Sequence, residues 1–392
     1  MKKINYLVGS SNFCHSPFKP FSEEVCDFLV SLSKEINLFK EIKNYPDLKA
    51  LAFWCRAQSI QKLKKNFNHE NNRLGLGIIF HITPSNIPTN FAYSLIFGLI
   101  TGNSNIVKVP SKEFDQVKII CKFIKKILSK KKNFLKKKIT IIQYKENDEF
   151  TKKFSLISNA RVIWGGNETI NNLRNFRINE RALDITFADR YSFCIINQSK
   201  LEKISNFEFK NLIQRFYNDT YAVDQNACSS PHLVIWLGKN SSKIRDKFWV
   251  KLYDLVKKKY KFSDSAHIEK YADLCKYAAN LEHIKKVKTY ENLIYKIELN
   301  KLDINNHNNR GKQGLFFEHN IKDLNKINHI INNKYQTLTY FGINKDIIKK
   351  FVLKNNLKGI DRIVPVGQSL DISLLWDGYD ILNILSRGID VR

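Results

Sequence analysis

The sequence predicts an α/β protein built on doubly wound parallel sheets. Three observations carry that expectation. Short apolar runs recur, helical stretches separate them, and turn-forming residues mark the junctions. Residues 76–82 form the first apolar run, the pattern of a buried strand. A Pro/Ser/Asn turn at 84–88 leads into an apolar helix over 91–101, which Gly102-Asn103 closes. Residues 105–109 read as a second strand. An amphipathic helix follows over 113–129, with Val117, Ile120, Cys121, Ile124, Ile127 and Leu128 at helical spacing. Further strands are predicted at 139–144 and 161–164. Strand, helix, strand in this order calls for right-handed crossovers and for ligands at the carboxyl ends of the strands. Gly75 and Gly77 open the first strand instead of following it, so they form no dinucleotide fingerprint.

Residues 1–70 read as mostly helical. A second unit is predicted from about 201, with a helix at 207–217, a turn containing Cys228 and a strand at 232–237. Helices at 243–259 and 267–280 and a strand at 335–343 follow. Residues 300–312, rich in Asn, Arg and Gly, are the best linker or loop. The expected domains are therefore 1–199, 200–360, and a C-terminal segment 361–392 that returns to the first domain or to an oligomer interface. A chain of 392 residues, 43% hydrophobic and 12% aromatic, can build two such cores and is not globally disordered.

Charge is lopsided, with 65 Lys+Arg against 37 Asp+Glu, a net of +28. Alone, that suggests nucleic acid or an anionic membrane. However, Lys, Asn and Ile recur throughout, as in Lys130-Lys131-Lys132-Asn133, and the lysines punctuate helix faces instead of forming one patch. The charge reads as compositional bias, useful for steering phosphate-bearing ligands, with no nucleic-acid or membrane partner expected. The seven cysteines include no C-x-x-C pair, which argues against disulfides and a structural zinc and for a reducing cytoplasm. The start Met1-Lys2-Lys3 is followed by no leader pattern, and the apolar stretch 91–100 is too short to span a bilayer.

Four stretches carry chemistry. In DQNACSSP (224–231), Cys228 sits in a polar turn ahead of a strand, placed for reaction. Cys121 and Cys194, beside apolar neighbours, read as core. A thiol is weakly ionised at neutral pH but intrinsically very nucleophilic. In ITPSNIPTNF (82–91), Asn86 lies between two prolines at a strand end, aimed to donate an N–H to an oxyanion. In GNSNIVKVPS (102–111), Lys108 ends a buried strand and Ser111 follows it. In IWGGNETI (163–170), Gly165 and Gly166 enter a helix, where backbone can approach a pyrophosphate, with Glu168 just inside. Taken singly, Asn86 reads as turn chemistry, Lys108 as a surface lysine and the two glycines as weak evidence.

As an ordered set, these stretches resemble the aldehyde-dehydrogenase superfamily from about Leu74 to the C-terminus. KYQTLTYFGINKD (334–346) resembles its strand after the catalytic helices. WDGYDILNILSR (376–387) resembles the signature of the LuxC-type acyl-CoA reductases. The resemblance implies an aldehyde-dehydrogenase-like fold, a Rossmann-type cofactor domain plus an α/β catalytic domain. It makes Cys228 the nucleophile and Asn86 the oxyanion donor, together with the backbone N–H of Cys228. It places Lys108, Ser111, Gly165, Gly166 and Glu168 on the cofactor. Ser111 stands where NAD-preferring relatives often carry Glu, and with Lys112 nearby this implies NADPH. Thr186 stands at or near the relatives' water-activating Glu, with Asp184 as a less favoured substitute. The E-x-F motif has no counterpart in the corresponding region, 307–311. The implied reaction is NADPH-dependent reduction of an acyl thioester, from coenzyme A or a carrier, to an aldehyde. An acyl-protein synthetase or transferase partner and a homo-oligomer are also implied, and no metal is. Competing expectations are an aldehyde-oxidising dehydrogenase and a non-enzymatic basic nucleic-acid or membrane-surface protein.

Overall fold

The computed structural model describes residues 4–65, 67, 72–130, 134–145, 147–261 and 264–392. Residues 1–3 and 131–133, read above for a leader and for lysine bias, lie outside them. The chain divides into two compact units, 1–188 with 374–392, and 189–373.

The first unit contains β1 (Asn5–Val8), β2 (Arg73–Gly75), β3 (Ile78–Ile82), β4 (Ser104–Lys108), β5 (Ile139–Gln143), β6 (Ala160–Trp164) and β7 (Leu183–Phe187). Its six-stranded sheet runs β1-β5-β4-β3-β6-β7. Strands β3 to β7 pair in parallel, and β1 adds an antiparallel edge. The parallel strands thus follow the doubly wound order in which β3 and β6 flank the topological switch point. β3 is buried along its whole length, as expected for a central parallel strand covered on both faces.

The helix Asn90–Ile100 follows β3 and is buried at every residue. A helix buried on every side requires cover all round. The sheet covers one side, and the helices Glu23–Asn37 and Ile381–Ile384 pack against the helix as well. The C-terminal segment therefore helps to complete the first core. Within it, Leu375–Trp376 and Tyr379–Asp380 form a hairpin whose turn, Asp377-Gly378, has positive φ at both residues. Ser386–Gly388 then pairs antiparallel with β2, and Arg73 donates to the Ser386 hydroxyl at 2.8 Å.

The second unit contains β8 (Tyr191–Asn197), β9 (Pro231–Leu237), β10 (Ile284–Tyr290), β11 (Ile294–Leu299), β12 (Leu315–Ile321), β13 (Tyr335–Phe341) and β14 (Arg362–Pro365). They form a seven-stranded sheet, β10-β11-β12-β9-β8-β13-β14, parallel except for the β10–β11 hairpin at one edge. Apolar cores cover both faces. One of them holds a charged group. Glu318, fully buried, accepts from the indole N–H groups of Trp236 and Trp249 at 2.9 and 2.8 Å and pairs with Lys296 at 3.0 Å.

Two expectations need correction. The first unit ends at Ala188, not at 199, because Tyr191–Asn197 is a strand at the centre of the second sheet, between β9 and β13. The return to the first unit begins at Leu374, not at 361, because β14 extends the second sheet beside β13. The 300–312 stretch is a loop, one of the two readings expected of it, and lies inside the second unit. In addition, the N-terminal region opens with the strand β1 before its helices Glu23–Asn37, Pro46–Trp54 and Ala57–Lys65.

Candidate active site

In the first unit, the loops after β3, β4 and β6 all leave the carboxyl edge of the sheet. Asn86 lies in the turn after β3, exposed. Thr83 anchors the start of that turn by donating from both its amide and its hydroxyl to the Lys108 carbonyl, at 3.2 and 2.8 Å. Lys108 ends β4 with its ammonium 5.0 Å from the centre of the Tyr144 ring. Ser111 is exposed, and its hydroxyl donates to the Tyr144 carbonyl at 3.1 Å. Gly165 and Gly166 follow β6 and open the helix Asn167–Arg174. Glu168 sits in the first turn of that helix, where a carboxylate complements the helix dipole. The turn carrying Asn86 and the glycine pair thus follow the two strands that flank the switch point.

A buried hydrogen-bond chain beneath this edge ties the strands together. The Trp164 indole donates to the Ser94 hydroxyl at 2.9 Å. Ser94 must then donate to His81 Nδ1 at 2.8 Å, and His81 Nε2–H donates to the Asn105 side-chain oxygen at 2.9 Å. Asn105 passes the chain on by donating to the Asn103 carbonyl. Every link is satisfied only by neutral His81, and burial pushes its pKa down to about 4. An unfolded chain takes up that proton near pH 6.5, whereas the native one does not until about pH 4. Stability is therefore full above pH 6.5 and falls as pH drops, by about 1.4 kcal/mol per pH unit and about 3 kcal/mol in all. Urea titrations of the wild type and of His81→Gln at pH 7.5 and 4.5 should show a smaller acid loss in the variant. Equal losses would contradict this account.

The fit to a dinucleotide can be read from the same edge. A Cβ added at Gly166 would meet nothing within 4 Å. The position therefore leaves open space beside a helix N-terminus, the place where a pyrophosphate binds. Lys108 ends β4, on the other side of β3, and adds a positive charge at the same carboxyl edge. The residues present suit a phosphate-bearing nucleotide. Trp164 stacks on Phe187 at 3.9 Å between ring centres, and Tyr379 of the C-terminal hairpin meets Phe187 edge-on at 5.8 Å. The Gly165 amide donates to the Phe187 carbonyl at the end of β7, at 3.2 Å.

Asp184 does not qualify as a substitute base. It lies opposite Arg161 across the β6–β7 register, and both carboxylate oxygens accept from that buried guanidinium at 2.7 Å. Arg161 also donates to the Leu173 carbonyl, so the pair fastens the helix Asn167–Arg174 to the sheet. Thr186, two residues on, is half-buried on β7.

In the second unit, Cys228 lies in the turn before β9, at the amino edge of the sheet, and is half-buried. Its carbonyl accepts from the Ser192 hydroxyl at 2.7 Å, and Ser192 in turn accepts from the Thr337 amide. The turn begins with two consecutive residues in the left-handed region, Asp224 (φ 52°) and Gln225 (φ 58°). Non-glycine residues resist that conformation, so the surroundings must impose it. Gln225 supplies the restraint. Its buried amide donates to the Pro231 and Leu315 carbonyls at 3.0 and 3.1 Å and accepts from the Gly314 amide at 3.1 Å. Reading the turn for nucleophiles alone passed over Gln225. Its presence in a reactive turn was the available signal.

All seven cysteines are free thiols. Cys55, Cys121 and Cys194 are buried, and burial pushes the Cys121 and Cys194 thiols up to about 12, which makes them poor nucleophiles. Among the described residues no cluster of His, Cys, Asp or Glu could hold a metal ion. No helix among them is long and apolar enough to cross a membrane.

These features define a class. The chain has the aldehyde-dehydrogenase fold. It is similar to 1-pyrroline-5-carboxylate dehydrogenase from Thermus thermophilus, with a TM-score of 0.65 and 9% identity, covering 94% of this chain and 81% of that one. Aldehyde dehydrogenase 21 from Physcomitrella patens matches with a TM-score of 0.62 and 12% identity, over 93% of this chain and 84% of that one. The glyceraldehyde-3-phosphate dehydrogenase of Methanocaldococcus jannaschii, solved with NADP, matches with a TM-score of 0.62 and 15% identity, over 94% and 89%. No curated protein matches the sequence. The family model of the acyl-CoA reductases (LuxC) matches residues 55–388, and the chain belongs to that family. It is accordingly an oxidoreductase working between the acyl and aldehyde levels, and family and fold imply a nicotinamide cofactor.

Proposed function

We propose that the protein reduces an acyl thioester to an aldehyde with NADPH, through a thioacyl intermediate on Cys228. The observation that carries this reading is the locked state of Asp184. In the resemblance, Thr186 replaces the Glu that activates water in aldehyde-oxidising relatives. The nearby carboxylate is held at both oxygens by Arg161. A thioacyl enzyme with no base to activate water persists long enough to be reduced.

The Cys228 thiolate attacks the thioester carbonyl, and the carbonyl electrons move onto oxygen. Asn86, with the backbone N–H of Cys228, stabilises that oxyanion in the role the resemblance gives it. As the carbonyl reforms, the C–S bond to the carrier breaks, and the leaving thiolate takes up a proton. When bound, NADPH supplies the hydride to the acyl carbon. The resulting hemithioacetal loses the Cys228 thiolate and releases an aldehyde. Lys108, Gly165, Gly166 and Ser111 hold the nucleotide, with Glu168 in the adjoining helix turn. With a hydroxyl at Ser111 and Lys112 next to it, the 2′-phosphate is favoured over a bare ribose. Tighter binding of NADPH than of NADH, read by fluorescence titration, is the expected result. Equal affinities would remove the basis for this preference.

The acyl donor is coenzyme A or a carrier, and an acyl-protein synthetase or transferase would be its natural source. Asn86→Ala should lower turnover about 10²–10³-fold, the usual effect of losing one oxyanion donor. Steady-state kinetics showing near-wild-type turnover would remove Asn86 from the mechanism.

A further inference from the structure

Lys270 lies on the helix Asp264–Asn280 and is 1% exposed. Its ammonium donates to the Gln313 carbonyl at 3.1 Å and to the Asn292 carbonyl, and sits 4.7 Å from the centre of the Tyr295 ring. Burial pushes its pKa down to about 7. Burying a cation is costly, and an aliphatic side chain would fill this space more cheaply. The carbonyl it grips belongs to a residue in the left-handed region, Gln313, at φ 53°.

That residue and its neighbours hold the nucleophile turn. The Gln313 amide donates to the Asp224 carbonyl at 3.1 Å, and the Gly314 amide donates to the Gln225 side chain at 3.1 Å. Gln225 donates to Leu315 and also to Pro231, on the far shoulder of the same turn. Gly314 tolerates no side chain, since a Cβ would come within 2.3 Å of the Tyr221 hydroxyl and 2.4 Å of the Leu293 carbonyl. The strained residues Asp224 and Gln225 are therefore held against segment 313–315, and that segment is held by the ammonium.

We propose that Lys270 is a positioning residue, acting through segment 313–315 to keep turn 224–231 in the conformation that presents Cys228. The inference rests on reading Cys228 as the nucleophile. Without the ammonium, Gln313 relaxes toward ordinary backbone, its amide turns away from Asp224, and the turn loses its left-handed start. A displacement of about 1 Å at a reacting group can lower a rate 10²-fold.

The test compares wild type, Lys270→Met and Lys270→Arg by hydrogen–deuterium exchange over residues 224–231. Acylation of Cys228 by octanoyl-CoA is followed by intact mass, and NADPH binding serves as a control. In Lys270→Met the turn should lose protection and acylation should slow about 10²-fold, while NADPH binding holds. Lys270→Arg, which restores a cationic donor, should recover most of the rate. Unchanged exchange over 224–231, or acylation within twofold of wild type, overturns the proposal. If Lys270→Met does not fold, Gln225→Leu breaks the same linkage at its other end, and a full acylation rate there is equally fatal. Wild-type protein that takes no acyl group would sink the thioester reading instead, and the exchange data would still decide whether Lys270 holds the turn.

Discussion

Replacing Cys228 by alanine should eliminate the acyl-enzyme and lower turnover by up to on the order of 10⁶-fold, the scale seen when a covalent nucleophile is removed. The expectation is specific to this thiol. Cys121 and Cys194 are held protonated by burial, with pKa values near 12, and Cys55 is fully buried. Cys14, Cys26 and Cys275 are at least partly accessible and serve as internal controls. Cys228 lies in a turn whose carbonyl and shoulders are fixed, by Ser192 and Gln225. Intact-mass measurement after incubation with a panel of acyl-CoAs should show one acyl group on the wild type and none on Cys228→Ala. Addition of NADPH should then clear the wild-type adduct. An adduct that persists in the variant would move the nucleophile to another cysteine.

The second large effect concerns stability. Glu318→Ala should destabilise the second unit by about 3–5 kcal/mol, the usual result of removing one partner of a buried ion pair. Glu318 has no exposed side-chain surface, and its cation partner Lys296 is 8% exposed. The alanine variant leaves the Lys296 ammonium with the longer pair to Asp246, at 3.8 Å, and the Trp236 and Trp249 indoles without their acceptor. Arg245, 3.7 Å from the same carboxylate, keeps Glu298 as a second partner. A loss of this size lowers the melting temperature of a unit this large by roughly 6–20 °C. Both tryptophans would report the transition by fluorescence. Glu318→Gln keeps an acceptor for the indoles and should lose less. A melting temperature unchanged in Glu318→Ala would mean that water reaches the stranded groups.

Much of the site was legible because its signals are local. The turn 82–91, the strand end at Lys108, the glycine pair and the Cys228 turn are each a few residues long. Each announces itself by an abrupt change from apolar to turn-forming residues. Asp184 shows the limit. Read along the chain, it was a spare carboxylate near the position of a lost base. Across the sheet, its register partner is Arg161, and no spacing rule links residues 161 and 184 until β6 and β7 pair. Gln225 and Lys270 were missed for the same reason, since their partners lie at 313–315 and 292 in the folded chain.

The amino-acid sequence by itself determined the α/β class, the strands β3 to β6 with the helices between them, and the turns that carry Asn86, Lys108, Gly165, Gly166 and Cys228. Hydrophobic period and turn chemistry act over one or two turns of chain, so a linear reading captures them. Only the tertiary structure decided that Tyr191–Asn197 belongs to the second sheet, that residues 374–392 complete the first core, and that Arg161 holds Asp184. A buried apolar strand satisfies its own pattern in any sheet, and a buried charge is settled by whichever partner folding brings to it. Both choices are made between residues far apart in the chain, by the requirement that every buried surface and polar group be covered at once.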